Sequence, residues 1–177
     1  IHVAALPADP SVAPAFIAVG DALLVPSDGR TATERATEGE HPDLIVYDLA
    51  LDYAQCARLA IACADTCSPE AANVAIGALQ AAGIAVSRID DVAGLVVMRT
   101  VAMLANEAAD AVTQGIASAR DIDLAMRNGV NYPRGPLAWA DAVGVAHLCT
   151  VLRNLGAQYG YERYRVAPLL ARRCATG

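Results

Sequence analysis

The stretch from residue 88 to residue 99 reads R-I-D-D-V-A-G-L-V-V-M-R, and the spacing of apolar residues changes within it. Before it, short apolar runs alternate with helix-like stretches, a rhythm typical of the strands and helices of a parallel sheet. After it, apolar residues recur every three or four positions, which indicates helices. The sequence therefore predicts two domains, an α/β domain over residues 1–91 and an all-α domain over residues 92–177.

Five short apolar runs are the predicted strands of the first domain: residues 1–5, 22–26, 44–48, 59–63 and 85–89. A helix is expected over residues 69–82, because Ser68 is a favourable N-cap and Pro69 suits the first helical position. A shorter helix is expected over residues 29–38. At the junction itself, Asp90 and Asp91 are expected to be solvated or to cap a helix rather than to act as an acid or base.

The second domain is predicted to consist of consecutive helices. The first is expected from about residue 93 to residue 114, because Val97, Val101 and Leu104 begin a continuous apolar stripe. Ser118 is expected to cap a second helix that ends at Gly129. Further helices are expected over residues 136–143, 145–159 and 168–173.

Composition excludes several classes of function. The chain of 177 residues has 13 arginines and no lysine against 19 acidic residues, which gives a net charge of −6. Binding to a nucleic acid would require a basic surface that displaces counterions. No apolar run reaches the roughly 20 residues that a membrane-spanning helix needs. The five cysteines are irregularly spaced, which does not suggest a disulfide scaffold, and reduced thiols favour a cytoplasmic location.

The sequence contains no nucleotide-binding or catalytic motif. No G-x-G-x-x-G follows a predicted strand, although such glycines let a pyrophosphate approach a helix N-terminus. The segment 27–35 (S-D-G-R-T-A-T-E-R) could hold an anion, but a turn before a capped helix is the favoured interpretation. Cys63 and Cys67 lack further ligands for a metal, and no histidine has a partner that suggests a dyad or triad. We therefore expect no catalytic, cofactor-binding or metal-binding residue in this chain.

Several ordered blocks of the sequence resemble the 3-hydroxyacyl-CoA dehydrogenases. They are residues 90–99 quoted above, 104–108 (L-A-N-E-A), 118–123 (S-A-R-D-I-D), 129–136 (G-V-N-Y-P-R-G-P) and 163–170 (R-Y-R-V-A-P-L-L). Five residues make up the family motif of the proline-rich turn: Asn131, Tyr132, Pro133, Gly135 and Pro136. The resemblance implies an α/β plus all-α architecture, in which a degenerate Rossmann-like domain is followed by the helical C-terminal domain of that family.

The chain departs from the family pattern where the family carries its chemistry. The active-site asparagine of the family falls on Met98, and a thioether cannot donate the hydrogen bonds of an amide. The family's catalytic histidine, in an H-F-x-N-P motif, is expected before the strand at 59–63, yet residues 48–58 contain no histidine. The glutamate that orients this histidine is also missing from that strand, which reads L-A-I-A-C. We therefore expect no hydride transfer by this segment.

Some bacterial members, the long 3-hydroxybutyryl- or 3-hydroxyadipyl-CoA dehydrogenases, follow a working half with a shrunken dinucleotide fold and a second helical domain. This chain resembles that second half over its whole length. The resemblance implies a non-catalytic C-terminal half of an NAD-dependent enzyme that converts 3-hydroxyacyl-CoA to 3-oxoacyl-CoA, as in fatty-acid or phenylacetate breakdown. Its implied role is assembly with the upstream catalytic half, as a stand-in for a dimer partner, within a homo-oligomer.

One alternative hypothesis is an active oxidoreductase in which a different set of residues substitutes for the missing ones. The other is an acyl-CoA- or partner-binding module derived from the same fold. In that case, a group of arginines near the C-terminus could contact CoA phosphates: Arg163, Arg165, Arg172 and Arg173. A solvated helix end is the favoured interpretation of this group, because guanidinium groups are commonly exposed.

Overall fold

The computed structural model describes residues 16–176, which form two compact units. The first unit ends at Met98 and the second begins at Arg99. The strand predicted at residues 1–5 lies outside the described residues. We refer to the two parts as the sheet unit and the helical unit.

A five-stranded sheet forms the framework of the sheet unit. Its strands are β1 (Ile17–Val19), β2 (Ala22–Pro26), β3 (Leu44–Tyr47), β4 (Arg58–Cys63) and β5 (Ala85–Arg88), and they lie in that order. The β2–β3 and β4–β5 pairs are parallel, whereas β1–β2 and β3–β4 are antiparallel. The expectation of a parallel sheet was therefore wrong. The loop of residues 48–57 contains no α-helix that could carry the chain back for a parallel pairing of β3 and β4.

Two helices cover the sheet, α1 (Ala32–Glu38) and α2 (Pro69–Ala81). Successive side chains of β3 point to opposite faces, so its apolar run feeds two cores. Ile45 and Tyr47 belong to the core that includes the buried alanines and Leu79 of α2. Val46 belongs to the core that includes the buried alanines of α1. The all-apolar sequence of β3 is thus explained by burial on both sides.

The helical unit contains the remaining helices: α3 (Val97–Thr113), α4 (Ala119–Gly129), α5 (Pro136–Val143), α6 (Val145–Tyr159) and α7 (Pro168–Thr176). These agree with the predicted helices, except that α3 begins about four residues later than expected. Residues 93–96 precede the helix because Leu95 has a positive φ of 49° and is not helical. The centre of α6 is fully buried through Leu148, Val151, Leu152 and Leu155.

Candidate functional site

The carboxyl ends of β2 and β3 lie side by side, and this is the edge of the sheet at which a dinucleotide fold places its ligand. Ser27 and Asp28 follow β2, and Asp48 follows β3. A ligand at this edge would use the N-terminus of a nearby helix, whose free N–H groups attract anions. The contacts of the helix ends therefore decide whether this edge can bind a phosphate.

The N-terminus of α1 is occupied by a side chain of the protein itself. The Asp91 carboxylate accepts hydrogen bonds from Ala32 N at 2.6 Å and from Thr33 N at 2.8 Å. Thr31 caps the same helix through a bond from Glu34 N. The helix-capping role expected of the Asp90-Asp91 pair is confirmed for Asp91. The anion position considered for segment 27–35 is filled by this carboxylate.

A second carboxylate holds the start of α3. Asp48, which is 1% exposed, accepts from Val96 N and Val97 N at 3.0 and 2.8 Å and from Met98 N at 2.8 Å. It also accepts from Leu49 N at 2.8 Å. Asp48 opens the segment 48–58, in which the family resemblance places the catalytic histidine. In this chain that position supplies a structural anchor for the backbone around Met98.

Charged side chains next to β2 are paired with one another. The Asp28 carboxylate accepts from Arg30 Nε at 3.0 Å and lies 3.6 Å from the Arg35 guanidinium, and Arg30 also binds Glu38. Burial raises the pKa of Asp28, but the hydrogen bond from Arg30 and the charge of Arg35 outweigh it and lower the pKa below the ordinary 3.8. These arginines are therefore already neutralised within the sheet unit.

The helical unit uses buried polar side chains to join its sequence blocks. The Asn106 side chain, which is 4% exposed, donates to the Arg165 carbonyl at 2.9 Å and accepts from Ala167 N at 2.8 Å. This amide links the block at 104–108 to the block at 163–170. Two family-like blocks far apart in sequence are thus explained by one structural contact.

A second joint of this kind lies between α4 and α5. The Asp123 carboxylate accepts from Leu137 N at 2.8 Å and from Ala138 N at 2.9 Å, so it caps α5 from a distance. Gly135 passes so close to Asp123 that a Cβ there would overlap the aspartate side chain. Glycine is therefore required sterically in the G-V-N-Y-P-R-G-P turn.

The motif residues of this turn form a compact bend rather than a catalytic cluster. Asn131 is exposed with φ of 57°, a conformation that asparagine tolerates better than most residues, and Pro133 is also exposed. Tyr132 is half-buried, and Pro136 is buried at the first turn of α5. Trp139, which follows on α5, is buried as expected of a core residue.

The four C-terminal arginines do not converge on one position. Arg163 and Arg165 line a cavity of about 350 Å³ together with three acidic residues, Glu107, Asp110 and Glu162. Arg172 and Arg173 lie on α7, where Arg173 is paired with Asp141 at 2.5 Å.

A larger cavity of about 490 Å³ lies between α4 and the turn, and it was not predicted from the sequence. We call it the arginine pocket; its lining consists of Arg120, Asp123, Leu124, Arg127, Pro133, Arg134, Gly135 and Ala138. The spacing of Arg120, Asp123 and Arg127 on α4 places them on one face of the helix, which is the signal that could have revealed the pocket.

Within residues 16–176, no group of histidine, cysteine and acidic side chains is arranged to hold a metal ion. None of the described helices is long and apolar enough to cross a membrane.

Comparisons with known proteins agree with this architecture. Residues 24–92 match the reduced Rossmann-fold domain of 3-hydroxybutyryl-CoA dehydrogenase, and residues 94–177 match the C-terminal domain of 3-hydroxyacyl-CoA dehydrogenase. The 3-hydroxyadipyl-CoA dehydrogenase of Escherichia coli K12 is 41% identical over 88% of this chain and 32% of its own length. A crystal structure of 3-hydroxybutyryl-CoA dehydrogenase from Escherichia coli K12 superposes with a TM-score of 0.85 at 40% identity, over 91% of this chain and 33% of that chain.

A further relative, the 3-hydroxybutyryl-CoA dehydrogenase of Clostridioides difficile, is 38% identical over 45% of this chain and 28% of its own length. The chain therefore belongs to the 3-hydroxyacyl-CoA dehydrogenase family. Within that family it combines the reduced Rossmann-fold domain with the helical C-terminal domain, as the resemblance of the sequence implied. It spans about a third of the length of the two Escherichia coli relatives.

Proposed function

We propose that this chain is a non-catalytic, assembly half of an NAD-dependent enzyme that converts 3-hydroxyacyl-CoA to 3-oxoacyl-CoA. The observation that carries the proposal is the occupation of the N-terminus of α1 by Asp91 and of the start of α3 by Asp48. Each carboxylate uses the backbone N–H groups that would otherwise bind a phosphate. The described residues of the sheet unit therefore do not fit a dinucleotide, and NAD is expected in an upstream catalytic half.

A second observation supports the assembly role. Helix α4 buries none of its residues, and three large apolar side chains on it or beside it are exposed: Ile116 at 70%, Leu124 at 53% and Val130 at 54%. Exposed apolar surface of this kind commonly marks a protein interface. Because the chain covers only about a third of the two Escherichia coli relatives, we propose that the helical domain of the catalytic half covers this surface.

Cofactor binding tests the non-catalytic role. The whole chain is titrated with NADH and monitored by cofactor fluorescence, and no saturation is expected up to about 1 mM, the upper range of ordinary KM values. An assay with NAD and 3-hydroxybutyryl-CoA is expected to show no turnover. Saturable NADH binding or measurable turnover would contradict the proposal. The coding sequence upstream of Ile1 gives an independent check, since it should encode G-x-G-x-x-G and H-F-x-N-P motifs.

Self-association tests the assembly surface. Without a catalytic half, the exposed apolar surface is expected to pair with a second copy, so the chain should dimerise in sedimentation equilibrium. Ile116→Glu is expected to weaken the dimer by about tenfold or more, since a charge at an interface core is strongly disfavoured. Val74→Glu is the matched control, because Val74 is also exposed but lies on α2 of the sheet unit. Equal effects of the two substitutions would refute the assignment of this surface.

Binding of acyl-CoA by this half is the second candidate function. It is favoured by the presence of arginine-lined cavities in the helical unit. The C-terminal arginines remain a proposal for CoA contacts, although Arg163 and Arg165 share their cavity with three acids. The arginine pocket has a net charge that is more favourable for binding a phosphate group.

A further inference from the structure

The arginine pocket brings to one cavity three arginines that have no ion-pair partner among the described residues. Within the described part of the chain, Arg120, Arg127 and Arg134 form no ion pair or hydrogen bond. Three positive charges therefore face one cavity in a protein whose net charge is −6. Arg120 and Arg127 are exposed, and positive groups around one cavity attract an anion to it.

The single acid of the pocket does not neutralise this group. Both carboxylate oxygens of Asp123 are engaged by the N–H groups of Leu137 and Ala138. The lining carries three positive charges against one negative charge, which leaves +2. The cavity that contains Arg163 and Arg165 carries two positive charges against three negative charges, which leaves −1. Only the arginine pocket, with its net charge of +2, suits a dianion.

The geometry of the pocket is fixed by the packing around it. Asp123 lies between Arg120 and Arg127 on the same face of α4, and its bonds to α5 hold that face against the turn. The Arg134 guanidinium lies over the ring of the buried Trp139, at 5.1 Å from its centroid. This cation–π contact restricts the arginine before any ligand binds, which lowers the entropy lost on binding.

The pocket is also larger than an inorganic anion requires. Its volume of about 490 Å³ lies within the range of roughly 300–1,000 Å³ that is usual for small-molecule sites. Guanidinium groups bind phosphate oxygens through paired, charge-assisted hydrogen bonds. Leu124, Pro133 and Ala138 add an apolar wall for the organic part of a ligand.

From these features we infer that the arginine pocket binds the phosphate groups of a phosphorylated small molecule. The identification of CoA as the organic source rests on the proposed function, whereas the phosphate chemistry does not. The phosphate groups of CoA and those of free inorganic anions would bind the arginines in the same way. The experiment therefore compares both kinds of ligand.

Binding is measured by isothermal titration of the whole chain with CoA, dephospho-CoA, pyrophosphate and inorganic phosphate. Saturable binding of at least one of these is expected, and it should weaken as the salt concentration rises because charge pairing is screened. A loss of affinity from CoA to dephospho-CoA assigns the pocket to the 3′-phosphate, and equal affinity assigns it to the diphosphate. Pyrophosphate or phosphate binding as tight as that of CoA assigns the pocket to a free inorganic anion.

Two arginine pairs provide matched variants. Arg127→Gln with Arg134→Gln is expected to weaken binding by about tenfold or more, since each change removes a charge-assisted contact. Arg163→Gln with Arg165→Gln, in the acid-rich cavity, is expected to change the affinity by less than about twofold. Arg127→Gln alone separates binding from folding, because Arg127 is exposed and its side chain forms no ion pair or hydrogen bond with the described residues.

Absence of saturable binding by all four probes would overturn the inference, and so would equal losses in the two double variants. Leu124 belongs both to the pocket and to the assembly surface, but neither result decides the assembly role, because that role is tested at Ile116, which does not line the pocket, and NADH binding is measured separately. Conversely, if the chain does not dimerise but binds CoA through Arg127, the inference about the pocket stands and the proposed assembly surface is contradicted.

Discussion

The sheet unit and the helical unit treat their charged groups differently. In the sheet unit, Asp28 pairs with Arg30 and Arg35, while Asp48 and Asp91 cover the helix ends. In the helical unit, Asp123 covers the end of α5, but the arginines around it have no acidic partners within residues 16–176. The sheet unit thus pairs the charges beside β2 internally, whereas the helical unit leaves the arginines of the pocket without acidic partners among the described residues.

Under the proposed function, this difference explains how a dinucleotide fold keeps its architecture without its ligand. A helix N-terminus attracts an anion, and a carboxylate from elsewhere in the chain serves as well as a phosphate. Once Asp48 and Asp91 are in place, the helix ends are stabilised permanently and do not depend on a cofactor. Substitutions of these carboxylates test how much they contribute to the free energy of unfolding.

The largest effect is expected at Asp48. Asp48→Ala removes the acceptor for four backbone N–H groups, two in buried and two in partly buried bonds, and should lower the free energy of unfolding by about 4 kcal/mol. Urea unfolding followed by circular dichroism measures the change. Asp48→Asn keeps one oxygen acceptor and should lose about half as much.

The matched control for Asp48 is Asp52, in the same loop. Its carboxylate accepts from Ala54 N at 2.8 Å but lies nearer the surface. Asp52→Ala should therefore cost about 1 kcal/mol, as for an ordinary cap. If Asp48→Ala costs no more than Asp52→Ala, the helix end does not depend on an internal anion and the comparison between the units fails.

The next effect is expected at the joint between α4 and α5. Gly135→Ala places a Cβ into the space of the Asp123 side chain, which cannot move without losing its bonds to α5. Destabilisation of about 2 kcal/mol is expected from this overpacking, measured by thermal unfolding. Gly129→Ala is the control, since a Cβ there meets nothing within 4 Å, and it should change stability by no more than about 0.5 kcal/mol. Equal effects of both substitutions would remove the steric explanation for Gly135.

Local patterns were sufficient to predict most helices and strands. The predicted strand 22–26 agrees with β2, and Ser68 and Ser118 cap α2 and α4 as expected. The mixed sheet was not predicted because the direction of β4 depends on the path of a loop, and apolar spacing carries no information about it. The late start of α3 has a related cause, since Asp48 fixes the backbone of residues 96–98 from about fifty positions away.

The family resemblance indicated which residues were missing from the site, but not what replaced them. The resemblance implies that the active-site asparagine of the family falls on Met98, whereas the structure shows that Asp48 binds the backbone there. Asn106 and Asp123 lie inside family-like blocks, but each bonds to a segment that a single sequence does not pair with it. The arginine pocket was missed for the same reason, because Arg134 and Arg127 meet only after the turn has folded.

The smallest effect concerns the paired charges of the sheet unit and depends on pH. Because the folded-state pKa of Asp28 is lowered below 3.8, its contribution to stability is present above the unfolded pKa and is lost as the pH falls through the folded value. Asp28→Asn should therefore cost about 1 kcal/mol at neutral pH and progressively less below pH 4. Urea unfolding midpoints of wild type and variant, measured from pH 7 to pH 3, test this expectation.

The control is Asp65→Asn, because the exposed Asp65 carboxylate makes no bond within the described residues. A difference between Asp28→Asn and wild type that stays constant with pH would mean that the ion pair does not stabilise the fold, and the sheet unit would then resemble the helical unit in leaving its arginines effectively free.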